Sequence, residues 1–209
     1  MSDNLIYDSV QSSENDKKAF VVIHGWKGNK DSFKTIASLL KLESITWFFP
    51  EAPFLVEGDE NKKTWSYQRE DGSWEVKKPK NMLNDFLVNH VFSRFKPKDV
   101  YVMGFSQGAT VCYEYILGLN YTFAGIFPVA GFLRNPNGEL SINQSHYNTP
   151  ILIGHGRDDD VVPFVASEIA FDKINKVCGK VSLFPYNGKH KISVEYLREV
   201  RKIVNNDLK

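Results

Sequence analysis

A serine, a run of three aspartates and a histidine, met in that order along the chain, are the residue types of nucleophilic acyl transfer. Ser106 lies in Gly104-Phe105-Ser106-Gln107-Gly108. The run before it, Asp99-Val100-Tyr101-Val102-Met103, is β-branched and aromatic. The run after it, from Ala109 to Leu117, continues as a helix, so the serine falls at a strand-to-helix turn. Such a turn strains its central residue, and glycines two positions away leave room for neighbouring backbone. The Ser106 hydroxyl then projects beyond the strand, and the Gln107 N–H points into the same space at a helix N-terminus. A match of this kind arises by chance roughly 0.07 times in a chain of this length. The base and the acid that follow therefore decide its meaning.

Both follow. The apolar run Pro150-Ile151-Leu152-Ile153-Gly154 leads into His155-Gly156-Arg157-Asp158-Asp159-Asp160-Val161-Val162-Pro163, and a last strand leads into Pro185-Tyr186-Asn187-Gly188-Lys189-His190. In an open α/β sheet, groups at the carboxyl ends of strands share one rim, which puts an aspartate and His190 beside Ser106. A serine hydroxyl attacks only when a base takes its proton, and imidazole does so at neutral pH. A carboxylate on the other ring nitrogen fixes the tautomer and stabilises the imidazolium. Local physics does not choose among Asp158, Asp159 and Asp160. The remaining histidines, His24, His90, His146 and His155, read as structural, the strand-end pair His24 and His155 holding loops by hydrogen bonds. The loop His24-Gly25-Trp26-Lys27-Gly28-Asn29 is the place for a second oxyanion donor.

The elements that must position these groups alternate along the chain. Strands are expected at 19–23, 45–49, 100–103, 125–129, 151–154 and 181–184, with a weaker edge strand at 5–8. Most are continuous apolar runs, as in a parallel sheet covered on both faces. Helices are expected near 30–40, 81–95, 107–118, 163–175 and 192–205. The fold class is α/β, with a mostly parallel central sheet, helices on both faces and a minimal lid. Residues 50–80 interrupt the alternation with a small hairpin around Glu70-Asp71-Gly72. Residues 130–149 form a polar loop. A chain of 209 residues suits one domain, 1–209, burying roughly 70 to 75% of its unfolded surface.

Composition removes several function classes. Twenty-six Lys and Arg balance 25 Asp and Glu, without a long basic stripe, which argues against a nucleic-acid partner. No stretch is long and apolar enough to span a bilayer, and the N-terminus from Met1 lacks a secretory pattern, so a soluble, cytoplasmic protein is expected. The two cysteines, Cys112 and Cys178, have no metal-ligand spacing and read as buried thiols.

With these residues in view, the sequence resembles the phospholipase/carboxylesterase family of α/β-hydrolases, which includes the acyl-protein thioesterases. The resemblance rests on His24-Gly25, Pro50-Glu51-Ala52-Pro53-Phe54, the Ser106 motif through Ala109, the segment from His155 to Pro163, and His190. It implies Ser106, Asp159 and His190 as a catalytic triad, with the acid three residues after the glycine of His155-Gly156. It also implies an oxyanion hole from the backbone N–H groups of Trp26 and Gln107. Small acyl esters or thioesters are the implied substrates, with no cofactor and no metal. Phe54, Leu55, Trp65, Phe132, Leu133 and Phe164 are candidates for an acyl pocket. Lys189, directly before the histidine, departs from the small residue common in the family. The hairpin after Trp65 is a second departure. Competing readings are a binding module that keeps the fold without chemistry, and an acyl-protein thioesterase or lysophospholipase with a larger substrate. A thiol-based lactone hydrolase is disfavoured because the turn carries serine.

Overall fold

Seven strands form the central sheet in a computed structural model that describes residues 4–208; the N-terminal segment Met1 to Asp3, read above for a secretory signal, lies outside the described residues. The strands in chain order are β1 Tyr7–Gln11, β2 Lys18–Ile23, β3 Ile45–Pro50, β4 Phe54–Val56, β5 Asp59–Thr64, β6 Tyr67–Gln68, β7 Trp74–Glu75, β8 Val100–Phe105, β9 Gly125–Val129, β10 Ile151–Gly156 and β11 Val181–Tyr186. The helices are α1 Lys34–Leu40, α2 Lys77–Phe86, α3 Gln107–Glu114, α4 Val165–Asn175 and α5 Val194–Asp207. The central sheet runs β1-β3-β2-β8-β9-β10-β11. Only β1 is antiparallel, paired with β3 at the edge.

Side-chain alternation divides the core into two layers, because successive residues of a strand point to opposite faces. From β2, Ala19, Val21 and Ile23 pack toward Leu83 and Phe86 of α2, Cys112 and Tyr113 of α3, and Ala170 and Ile174 of α4. Phe20 and Val22 pack the other way, toward Ile36 and Leu40 of α1 and Leu197, Val200 and Val204 of α5. Strands covered on both faces have no polar alternation, which is why β2, β3, β9 and β10 are buried throughout.

The helix expected at 107–118 stops at Glu114 before a short 3-10 turn over Ile116–Gly118, and that expected at 192–205 lies two residues later; the other three differ from their expected bounds for local reasons. The segment after Gly28 does not become helical until Lys34. Asn29, Asp31 and Ser32 close a turn on one another through Asn29 N to Ser32 Oγ (2.9 Å) and Asp31 N to Asn29 Oδ1 (2.9 Å), and such side-chain bonds compete with a helix. The expected helix at 81–95 starts instead at Lys77, since Pro79 fits a first turn where its missing N–H is no loss. It then widens into a π turn over Leu87–Val91, closed by Phe92 N to Leu87 O at 2.7 Å. The helix after Pro163 begins at Val165, Pro163 contributing only a preceding turn.

Residues 50–80 hold two hairpins. The expected one joins β6 to β7 around Gly72. The other, β4 to β5, turns at Gly58 and was not foreseen. It is strapped to the loop after β2 by Lys27 N to Lys63 O and Lys63 N to Gly28 O, both 3.0 Å.

Candidate active site

Parallel register brings the relevant loops to one rim. Ile23 pairs with Gly104, and Gly156 pairs with Tyr186, so the loops after β2, β8, β10 and β11 all leave the carboxyl edge of the sheet. Ser106 caps β8 with φ 53° and ψ −115°, a strained conformation for a residue with a side chain. Close packing on both sides imposes it. A Cβ on Gly104 would stand 2.2 Å from the Gly108 carbonyl oxygen, and one on Gly108 would stand 2.2 Å from the Ile23 carbonyl oxygen. The turn is tied to the sheet by Ser106 N donating to Val129 O at 2.8 Å, and to α3 by Thr110 N donating to Ser106 O at 3.1 Å.

The residue after the serine is anchored by its side chain. Gln107 Oε1 accepts from Trp65 N at 2.9 Å, and its Nε2 donates to Thr64 Oγ1 at 2.9 Å and Ser66 Oγ at 3.1 Å. Ser66 Oγ also accepts from Arg134 at 2.8 Å, and Arg134 pairs with Glu114 at the far end of α3. The Trp65 indole N–H donates to the His24 carbonyl at 2.9 Å. The His24 ring completes this side of the site. Ala52 N–H donates to its Nε2 at 3.0 Å, so Nδ1 carries the proton and donates to Gly25 O at 2.7 Å. Burial pushes the His24 pKa down to about 4, against weaker opposition from the Gly25 carbonyl. His24 is thus a neutral brace, as the sequence reading has it.

The backbone of the loop runs hard against the serine: a Cβ on Gly25 would lie 3.2 Å from Ser106 Cβ. Among the described residues, neither the Trp26 N–H nor the Gln107 N–H has a protein acceptor. The Trp26 side chain is 58% exposed, with the Lys27 ammonium 4.1 Å from its ring.

On the opposite side, His190 Nδ1 donates to Asp159 Oδ2 at 2.7 Å. The carboxylate can only accept here, so Nδ1 carries a proton, and in the neutral ring Nε2 is the nitrogen with the lone pair. The ring lies 4.8 Å from that of Phe105, next to the serine. The Asp159 side chain is fully buried and its other oxygen accepts from Val161 N and Val162 N, both at 2.9 Å. Burial opposes its charge, but His190 and these two N–H groups outweigh that and hold its pKa below the usual value. The three aspartates separate cleanly: Asp160 pairs with Lys189 at 2.9 Å on the exposed surface, and Asp158 braces the loop through its N–H to Gly188 O at 3.1 Å. Lys189 is therefore turned to a carboxylate rather than left beside His190 as a lone cation.

The other residues singled out from sequence are spread around this centre. His90 meets the Tyr7 hydroxyl at 3.3 Å, and His146 is buried against Phe123 with Nε2 3.1 Å from Leu119 O. Both have structural partners. Cys112 and Cys178 are buried free thiols, and burial raises the pKa of each. Of the six acyl-pocket candidates, Trp65 lines a cavity with Leu83, Val111, Tyr115 and Arg134, whose free volume is about 20 Å³, room for roughly one water. Leu133 is buried, Leu55 is exposed on the β4–β5 hairpin, and Phe54 packs edge-on against Tyr67. Phe164 packs edge-on against His155 at 5.7 Å. Phe132 turns its backbone to Thr110, whose hydroxyl donates to its carbonyl at 2.7 Å. Sequence reasoning missed Gln107 as a side-chain anchor and Thr64 and Ser66 as its partners; the polar run before Trp65 carried no signal of them. Among the described residues no helix is long and apolar enough to cross a membrane, and no cluster of His, Cys, Asp and Glu could hold a metal.

This arrangement has relatives. The family model for phospholipase/carboxylesterase matches residues 6–207. The chain belongs to that family. Among curated members, it is 25% identical to an acyl-protein thioesterase 1 of Debaryomyces hansenii, over 92% of each protein. It is 26% identical to carboxylesterase SOBER1 of Arabidopsis thaliana, over 81% of this chain and 80% of the relative. Among solved structures, esterase PE8 superposes with a TM-score of 0.82 at 22% identity, covering 97% of this chain and 99% of that one. The Bacillus cereus carboxylesterase superposes with a TM-score of 0.77 at 15% identity, covering 97% and 95%. The shared fold is the α/β-hydrolase fold. As a member of the phospholipase/carboxylesterase family, this chain is an ester hydrolase of the serine esterase type.

Proposed function

We propose that the chain, acting as one hydrolase domain over residues 1–209, cleaves carboxylic esters or thioesters of acyl chains through an acyl-enzyme on Ser106. Ser106 Oγ attacks the acyl carbon while His190 Nε2 takes its proton. The Asp159 carboxylate holds the opposite ring nitrogen and stabilises the imidazolium that forms. The Trp26 and Gln107 N–H groups receive the oxyanion of the tetrahedral intermediate. His190 returns the proton to the departing alcohol or thiol. Water, activated by the same imidazole, then releases the acid. The observation that carries this reading is the 2.7 Å His190–Asp159 hydrogen bond, with the His190 ring 4.8 Å from that of Phe105, the residue before a serine in a strained strand-to-helix turn.

A larger substrate is the second reading, an acyl chain displayed on a protein or a lysophospholipid. Relatives named acyl-protein thioesterase favour it, as does a rim that exposes Trp26, Leu55 and Val161. A panel of p-nitrophenyl esters and acyl thioesters of graded chain length tests both readings. The first expects hydrolysis of the short oxyesters that is lost in Ser106→Ala. The second expects turnover to rise with chain length and to favour the thioesters. A wild-type protein that turns over no ester or thioester contradicts both.

A further inference from the structure

His155, set aside on sequence grounds as a loop brace, is the second imidazole on the candidate acid. It is fully buried at the end of β10, and its Nε2 lies 2.9 Å from Val162 O and 3.2 Å from Asp159 Oδ2. Both are acceptors, so Nε2 carries the proton. Nδ1 is then an acceptor and takes the Ser167 hydroxyl of α4 at 2.6 Å. Burial disfavours the charged ring, with partial opposition from Val162 O, so His155 is a neutral dipole whose positive end faces the carboxylate. The Nε2–H is given to Val162 O, and Asp159 Oδ2, which accepts from His190, lies 3.2 Å from the same nitrogen. The Ser167 hydroxyl is followed by the Tyr113 hydroxyl of α3, buried beside it without completing a hydrogen bond of its own. From β11, Tyr186 also faces Asp159. Of the titratable groups that bear on His155 itself, Asp159 favours its charged form and His190 opposes it.

We propose that His155 is a positioning residue for the hydrolytic reaction, fixing Asp159 Oδ2 and sharing its negative charge so that His190 is held in line but not over-stabilised as imidazolium. The proposal rests on the reading of Ser106, His190 and Asp159 given above. A carboxylate with one oxygen tied to two backbone N–H groups and the other between two rings has little freedom to rotate. Removing the His155 N–H leaves more of the carboxylate's charge on His190, which then holds its proton to higher pH. A residue that only fills space would not produce that change.

The test compares wild type with His155→Phe, His155→Gln and Ser167→Ala. Glutamine places an N–H where Nε2 stood, whereas phenylalanine keeps the ring and loses the donor. The rate of fluorophosphonate labelling is followed against pH, together with the far-downfield proton resonance of the His190–Asp159 hydrogen bond. His155→Phe is expected to move the acid limb of labelling to higher pH by roughly half a unit to one unit, the range of a net hydrogen-bond contribution. It should also shift the resonance further downfield. Glutamine is expected to restore both. Ser167→Ala, which weakens polarisation of the Nε2–H without emptying the site, should give a smaller shift in the same direction. A folded His155→Phe protein with an unchanged or lowered acid limb overturns the proposal. If that variant does not fold, a wild-type acid limb in Ser167→Ala overturns it. Labelling that persists in Ser106→Ala would instead defeat the triad reading, and the resonance still reports on His155 in that case.

Discussion

His24 and His155 end equivalent parallel strands, β2 and β10, and both are buried, neutral and hydrogen-bonded through each ring nitrogen. Their surroundings divide the site. Around His24, on the nucleophile's side, both hydrogen-bond partners of the ring are backbone, and Gln107 itself bonds to neutral groups, the charged Arg134 entering only beyond Ser66 and paired there with Glu114. Around His155, on the base's side, the ring faces a carboxylate that it shares with His190. One half holds the groups nearest the serine through neutral hydrogen bonds, and the other holds its base through a charge. Substitutions should therefore change shape and stability in the first half, and pH dependence in the second.

The largest effects test the division at its reacting atoms. Ser106→Ala is expected to lower kcat by roughly a millionfold, and Asp159→Asn by roughly ten-thousandfold, the scale of triad losses. Asp158→Asn should fall far short of Asp159→Asn in the same ester assay. Equal losses at the two aspartates would break the assignment of the acid.

Gln107→Ala follows. It leaves the Trp65 N–H without its acceptor in a buried place, the Thr64 hydroxyl keeping its bond to Ser66 O, which costs about 1 to 3 kcal/mol of folding stability. The acid limb of its kcat/KM profile should stay where it is in wild type, because nothing charged has been removed. A shifted limb would show that the two halves are not separate. Chemical denaturation and a pH–rate profile give the two readings.

His24 sharpens the same point through stability. An unfolded histidine takes its proton near pH 6.5, whereas folded His24 resists until about 4. Between those values only the unfolded chain is protonated, so the stability it contributes is complete above pH 6.5 and is lost as pH falls toward 4. The loss is on the order of 3 kcal/mol. His24→Asn should be less stable at neutral pH but should lose less between pH 7 and 4.5 than wild type does. Lys189→Ala is the smallest change. Its exposed pair with Asp160 predicts ester turnover within about twofold of wild type.

The sheet was legible because its strands are apolar runs: β2, β3 and β9 appear within a residue of their expected bounds. The hairpin β4 to β5 was not, since Asp59-Glu60-Asn61-Lys62-Lys63-Thr64 has no strand-like alternation. It is a strand because it pairs back on β4, with Leu55 opposite Lys63, and Lys63 also bridges to Gly28 in a distant segment. The order of serine, aspartate and histidine was readable, as was the rim they share. Which aspartate meets His190 was left open by local physics, because three identical side chains in a row differ only in where the loop aims them. The approach of His155 to Asp159 was invisible for the same reason: it arises when the chain after β10 folds back over its own last residues.

The central claim, that Ser106 is the nucleophile, is tested most directly by labelling the wild-type protein with a fluorophosphonate and mapping the adduct by peptide mass spectrometry. A single adduct on Ser106, absent from Ser106→Ala, is the expected result. An unlabelled wild type, or an adduct on another residue that survives in Ser106→Ala, would contradict it.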